Sequence, residues 1–251
     1  MKKSRTKQFE IEYPSNLDRK GLAWLDSKPF GGNDLAESSR AFRDFATILY
    51  LLDQYGIKNG KILDLGSGPG WLAIFLGKMG FRVTGLDISP GMVKVATKRA
   101  QKENSSAQFS VCDIEEKRLN DLVNQNEAVI IYDALHHCHH EEKVLKNAQR
   151  YLKDGGLLIL AEPNKVHEVD RGGLEASEKY GVLERGLSPS LLRKTLLKLR
   201  FKQVWRYHAS GQSLLPRNES LLETMKMIFY PSLARFYFGR FKTRVWIVAR
   251  K

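Results

Sequence analysis

Lys61-Ile62-Leu63-Asp64-Leu65-Gly66-Ser67-Gly68-Pro69-Gly70, followed by Trp71-Leu72-Ala73-Ile74-Phe75-Leu76, is the stretch on which the reading of this chain turns. Ile62, Leu63 and Leu65 form a short apolar strand, interrupted near its end by Asp64. Gly66, Gly68 and Gly70 let the backbone turn tightly and approach a ligand where a Cβ would collide. The apolar run that follows reads as a helix whose positive N-terminal end faces whatever sits over the loop. Strand, glycine turn and helix in that order predict a nucleotide-type site on an α/β sheet.

The flanking sequence extends this unit. A helix is expected from Asn33 or Asp34, with Asn33 as its cap, to a stop at Tyr55-Gly56, with Phe42, Phe45, Ala46, Leu49 and Leu52 at helical spacing. Further strands are expected at Phe81–Asp87, Gln108–Cys112, Glu127–Tyr132 and Leu157–Ala161, separated by helices from Ser89-Pro90 to about Lys102 and from Glu141 to Leu152. Such alternation predicts parallel βαβ units with right-handed crossovers, which place the carboxyl ends of the strands along one edge. Asp64, Asp87, Asp113, Asp133 and Glu162 then line that edge, where open α/β sheets bind their ligands. A helix at about 188–200 and strands at Phe201–Tyr207 and Thr243–Ala249 complete the pattern. Residues 1–33, broken by Pro14, Pro29 and Gly31-Gly32, read as a loosely structured lead-in. Residues 34–251 read as one domain, with an aromatic and basic insert at about 209–240.

Two details of the loop bear on which nucleotide it takes. Trp71 stands where a dinucleotide fingerprint places its third glycine, and Pro69 removes a backbone N–H from the cradle. No Lys-Ser/Thr follows, which excludes a P-loop. With Asp64–Gly70, Asp87 closing the second strand, Cys112-Asp113-Ile114, Tyr132-Asp133-Ala134-Leu135-His136-His137 and Tyr151–Gly156, the chain resembles the class I S-adenosylmethionine-dependent methyltransferases. The resemblance covers about residues 35–165. It implies a Rossmann-like, seven-stranded and mostly parallel sheet with helices on both faces and an antiparallel last strand. It also implies a cofactor set of Asp64, Gly66, Ser67, Gly68, Gly70, Asp87, Ile88, Met92, Asp113, Ile114 and Tyr132. The chemistry of adenosylmethionine suits these residue types. It has no pyrophosphate, so fewer N–H donors suffice, and its cationic amino-acid end suits Asp64. Asp87 follows at the spacing of an acid that takes up ribose hydroxyls. By the resemblance, Asp113 and the Ile114 backbone address the adenine, with Ile88 and Met92 in apolar contact.

Asp133-Ala134-Leu135-His136-His137-Cys138-His139-His140 holds four of the six histidines, directly on the rim. His136 and His137 are the candidate general base for a hydroxyl acceptor, since imidazole titrates near neutrality. A role in shaping the cofactor pocket competes with that reading. A metal held by this cluster with Asp133, Glu141 and Glu142 is a third reading, since His136 and His140 would meet on a helix, but no established ligand spacing is present, so no metal site is assigned.

Bulk composition bounds the rest. The chain has 251 residues, 42% of them hydrophobic, with no apolar run long enough to span a bilayer. Its two cysteines, Cys112 and Cys138, lack C-x-x-C spacing, and a reducing cytoplasm fits them, with peripheral membrane contact open. The formal net charge is +13, and nearly all of the excess lies after residue 192, where 14 Lys/Arg face only Glu219 and Glu223. Such a bias suits an anionic acceptor or surface as well as a plain solvated face. Glu178–Ser188 looks similar to methyltransferases associated with bacterial surface-saccharide synthesis. O-methylation of a hydroxyl on a saccharide or other small, phosphate- or lipid-linked acceptor is therefore the expected activity. RNA methylation through the basic segment and non-catalytic binding of adenosylmethionine are the alternatives.

Overall fold

In this computed structural model the described residues are 2–31, 34–116, 119–169, 171–207 and 244–251. The expected insert at about 209–240 lies outside them.

Seven strands form one sheet: β1 Lys61–Leu65, β2 Arg82–Asp87, β3 Gln108–Val111, β4 Asn126–Tyr132, β5 Leu152–Pro163, β6 Gln203–Tyr207 and β7 Arg244–Arg250. Their order is β3-β2-β1-β4-β5-β7-β6, parallel from β3 to β5, with β7 antiparallel to both of its neighbours. The order reverses between β1 and β4, and that crevice receives both the glycine loop and the histidine loop. β5 starts earlier than expected because Leu152 already pairs with Asn126 across an irregularity in the β4 register.

The eight helices of the described residues are α1 Lys2–Glu12, α2 Arg19–Ser27, α3 Leu35–Gln54, α4 Trp71–Lys78, α5 Pro90–Lys102, α6 Glu141–Tyr151, α7 Arg171–Tyr180 and α8 Pro189–Lys198. Period-two alternation along the strands sends side chains to opposite faces and creates two cores. On one face Ile62, Val83, Ile130, Ile159 and Trp246 pack with Ile48 and Leu51 of α3 and Ile74 of α4. On the other, Leu63, Leu86, Val129 and Leu160 pack with Val144 and Leu145 of α6 and Leu192 of α8.

The caps follow local chemistry. Asp34 accepts from the Ala36 and Glu37 amides to start α3 (2.8 and 3.0 Å), and Asn33 is not among the described residues. Ser89 caps α5 ahead of Pro90, whereas Ser188, in the same position before α8, makes no side-chain cap bond.

The N-terminal lead-in is where the structure departs most from expectation. Residues 2–27 are largely helical rather than loose. Phe9 lies where a Cβ on Gly181 would meet its ring (2.6 Å), and the Ile11 carbonyl accepts from the Ser89 hydroxyl at 2.7 Å. This segment lies across the carboxyl edge of the sheet.

Candidate functional site

A cavity of about 1410 Å³ opens at the carboxyl ends of β1, β2 and β4, roofed by α1, α2 and α3. That exceeds the roughly 300–1,000 Å³ of a single small-ligand pocket and leaves room for a cofactor and an acceptor together.

One part is built by the glycine loop. Gly66 has φ +77°, and an added Cβ would come within 2.3 Å of Ala134 Cβ, so this residue lets the loop after β1 nest against the loop after β4. Gly68 has φ +51° with nothing within 4 Å of an added Cβ, so its open side faces the cavity. Gly70 differs. It does not line the cavity; its φ of +79° starts α4, and a Cβ there would lie 2.7 Å from Ala96 and Phe109, so packing demands the glycine.

Asp64 is 2% exposed, and its Oδ2 has no hydrogen-bond partner among the described residues; the same holds for Ser67 Oγ. Burial, with the Asp87 charge added, pushes the Asp64 carboxyl up to about 7. Asp87 is held open to the same space by the Gly68 amide (2.8 Å to Oδ2) and the Ser89 amide (2.9 Å to Oδ1). Ile88, Met92, Asp113 and Ile114 continue the wall. Asp113 is already partnered: Lys7 Nζ of α1 lies 2.5 Å from its Oδ2.

The remaining rim acids have other work. Asp133 is gripped by both terminal nitrogens of Arg244 (2.8 and 2.7 Å) and by Arg40 at 3.2 Å. Burial opposes its ionisation, but the two guanidiniums hold its carboxyl well below the usual range. Arg244 also meets Asp44, which accepts the Tyr132 hydroxyl at 2.8 Å, and stacks 4.7 Å from the Tyr132 ring centroid. Tyr132 lines the cavity with its hydroxyl committed to Asp44. Arg40, Asp44 and Arg244 escape a motif search because α3 and β7 bring them from opposite ends of the chain.

Glu162, fully buried in β5, accepts from the amides of Ala134 (3.0 Å) and Leu135 (2.9 Å) and from His136 Nδ1 (2.8 Å). It fixes the 3₁₀ turn Leu135–His137 that carries both candidate bases into the cavity. His136 Nε2 lies 3.4 Å from Glu184 Oε2, and His167 Nε2 lies 2.8 Å from the same oxygen. His137 Nδ1 donates to the Leu183 carbonyl at 2.8 Å, with Glu10 Oε1 at 3.4 Å. Burial works to lower the His136 pKa, but bonds to Glu162 and Glu184 override it and push it up to about 9. Burial works to raise that of Glu184, and bonds from His136 and His167 pull it down to about 2. His139 and His140 do not join this cluster. The first pairs with Thr6 at 2.7 Å, and both amides are taken by Glu115. Glu141 and Glu142 pair instead with Arg185 and Lys198. Glu10, His167 and Glu184 are the site residues the motif search passed over, although Glu184 lies inside the Glu178–Ser188 segment already singled out.

The donors and open surfaces of the first region match adenosylmethionine. Two unsatisfied buried oxygens at Asp64 and Ser67 suit its ammonium, the glycine at 68 leaves backbone surface for close approach, and Asp87 suits a diol. Site and fold together resemble those of the class I S-adenosylmethionine-dependent methyltransferases. Residues 63–160 match the family model described as a methyltransferase domain. Over 116 residues the chain is 28% identical to a ubiquinone biosynthesis O-methyltransferase of Coxiella burnetii, covering 46% of this chain and 49% of that protein. Over 130 residues it is 33% identical to an S-adenosyl-L-methionine-dependent Diels-Alderase of Talaromyces variabilis, covering 51% and 43%. The chain thus spans about half the length of these two curated relatives. Among solved structures, phosphoethanolamine N-methyltransferase 2 of Haemonchus contortus with S-adenosyl-L-methionine superposes with a TM-score of 0.66 at 19% identity, over 97% of this chain and 60% of that one. At that identity the likeness speaks for the fold. No helix among the described residues is long and apolar enough to cross a membrane.

Proposed function

We propose that the chain transfers the methyl group of adenosylmethionine to a hydroxyl oxygen of a small acceptor, with saccharides and their phosphate- or lipid-linked forms as the leading class. The observation that carries this reading is the His136–His137–Glu184 cluster in the wall of the same cavity as Asp64, Ser67 and Asp87. When bound, adenosylmethionine supplies a methyl on a positively charged sulfur, so transfer forms a carbon–oxygen bond, returns the sulfur–carbon electron pair to sulfur and releases the hydroxyl proton. An amine or carbanion acceptor has less need of a fixed proton-accepting cluster.

Each residue then has a task. Asp64 and Ser67 hold the amino-acid end, Asp87 the ribose, and Asp113 with Ile114 the adenine, flanked by Ile88 and Met92. Glu162 and His136 position the turn. His137 is the member of the pair more open to the cavity, with Nδ1 committed to Leu183, and receives the proton. The other end of the cavity suits an anionic sugar derivative. Arg244 and Arg40 are matched by Asp44 and Asp133, whereas Lys28 and Arg43 form no ion pair among the described residues. Trp24 and Tyr50 add aromatic faces there.

The test is adenosylhomocysteine release across acceptor panels. Turnover with phosphorylated saccharides and none with RNA supports the reading; turnover with RNA alone contradicts it.

A further inference from the structure

We propose that His136, His137 and Glu184 bind a divalent transition-metal ion, zinc being the first choice, in the wall of the cavity. One ligand atom from each lies within 4.8 Å of the others. Around a tetrahedral zinc with bonds of about 2.0–2.1 Å, neighbouring ligand atoms sit about 3.3 Å apart. His136 Nε2 and Glu184 Oε2 are already 3.4 Å apart. The three come from the turn after β4 and the segment before α8, so no local spacing announces them.

The surroundings of the His136 imidazole make the stronger argument. A metal-bound histidine as a rule gives its other ring nitrogen to a carboxylate or a carbonyl. His136 Nδ1 is on Glu162, itself fully buried and pinned by two backbone amides. His137 Nδ1 is on the Leu183 carbonyl. In the His136 ring that leaves Nε2, whereas the His137 nitrogen that reaches Glu184 is Nδ1 itself, 3.9 Å from Oε1, so the ion would take it over from the Leu183 carbonyl. His167, at 2.8 Å from Glu184 Oε2, steadies the carboxylate. Two histidines and one glutamate leave a coordination position open, the pattern of catalytic rather than structural zinc. The ion replaces the proton on His136.

The consequence for chemistry rests on the hydroxyl-acceptor reading. A hydroxyl in the open position loses its proton to water near neutral pH, because the ion stabilises the alkoxide. With the ion in place His137 is a ligand, and direct proton transfer to its ring is not required.

The experiment uses the full, untagged chain, stripped by chelator and desalted, then titrated with zinc or manganese chloride alone and assayed for metal by mass spectrometry. One ion per chain is expected. Glu184→Gln and His137→Gln should weaken binding at least about tenfold, and Glu162→Gln by about 10–100-fold, with circular dichroism confirming that each variant folds. Absence of stoichiometric binding, or binding indifferent to all three substitutions, overturns the proposal. Methyl transfer is followed in parallel. Hydroxyl methylation by the metal-free chain at an unchanged rate overturns the catalytic role and leaves the acceptor reading standing. A bound ion with methyl delivered to nitrogen or carbon overturns the acceptor reading, and the catalytic role with it, and leaves the metal site standing.

Discussion

His136 Nδ1 and Glu162 Oε2 lie 2.8 Å apart, tying the loop after β4 to the carboxyl end of β5 in a fully buried contact. The same carboxylate holds two backbone amides, so the position of the histidine turn depends on one side chain. Glu162→Ala leaves those donors unsatisfied and the buried His136 ring with only its longer contact to Glu184. We expect a loss of about 3–5 kcal/mol in urea unfolding, with Glu162→Gln recovering part of it. A loss under about 1 kcal/mol for the alanine variant would show that water replaces the carboxylate, a lesser role than the geometry gives it.

Asp64 couples stability to pH. Burial beside Asp87 holds its folded pKa at about 7, above the ordinary value of 3.8. Across that window the folded chain holds more protons at this site than the unfolded chain, so its contribution to stability falls as pH rises. Asp64→Asn removes that penalty. The variant should be more stable than the parent above pH 7, by on the order of a few kcal/mol, and gain little near pH 4. Its affinity for adenosylmethionine should drop at least about tenfold. Thermal melts at pH 4 and pH 8, with calorimetric titration of the cofactor, check both halves. A variant less stable at pH 8 but unchanged in binding would place the burial cost and the ligand contact elsewhere.

The glycines at 66 and 68 should separate folding from binding. Gly66→Ala drives a Cβ to 2.3 Å from Ala134 at a positive φ and should cost about 3 kcal/mol or more. Gly68→Ala has open space and carries only the left-handed penalty of about 1–2 kcal/mol. Its methyl enters the cavity, so it should weaken cofactor binding more than it weakens the fold. Equal losses of stability for the two variants would contradict this division.

Much of the sheet was legible because it is built from short-range signals. Apolar runs of strand length, a glycine stop at Gly56, and an acid at the end of each of the first five strands are visible residue by residue. What stayed hidden depends on contacts across the chain. α1 has no apolar stripe, and its helix is held against the core by Lys7, Glu10 and the Ile11 carbonyl. Gly70 looked like its neighbours until the packing of Phe109 and Ala96 gave it a different task. The meeting of His136 with Glu184 and of Asp133 with Arg244 spans tens of residues, and no periodicity encodes it.

Arg244 is the hinge of the second cluster. Arg244→Met leaves the Asp44 and Asp133 carboxylates with Arg40 as their remaining guanidinium, and we expect a loss of about 3 kcal/mol. Adding Asp133→Asn should restore part of it, a coupling that a double-mutant cycle in urea reads directly. Strict additivity of the two substitutions would mean that solvent screens the pair.

The central claim is that a hydroxyl oxygen receives the methyl group. The most direct measurement is carbon NMR of the product formed with adenosylmethionine labelled with ¹³C in its methyl group, using a phosphorylated saccharide as acceptor. A methoxy signal coupled to a sugar-ring carbon, lost in Asp64→Asn, is the predicted result. A methyl on nitrogen or carbon, or label that never leaves the cofactor across the whole acceptor panel, would contradict it.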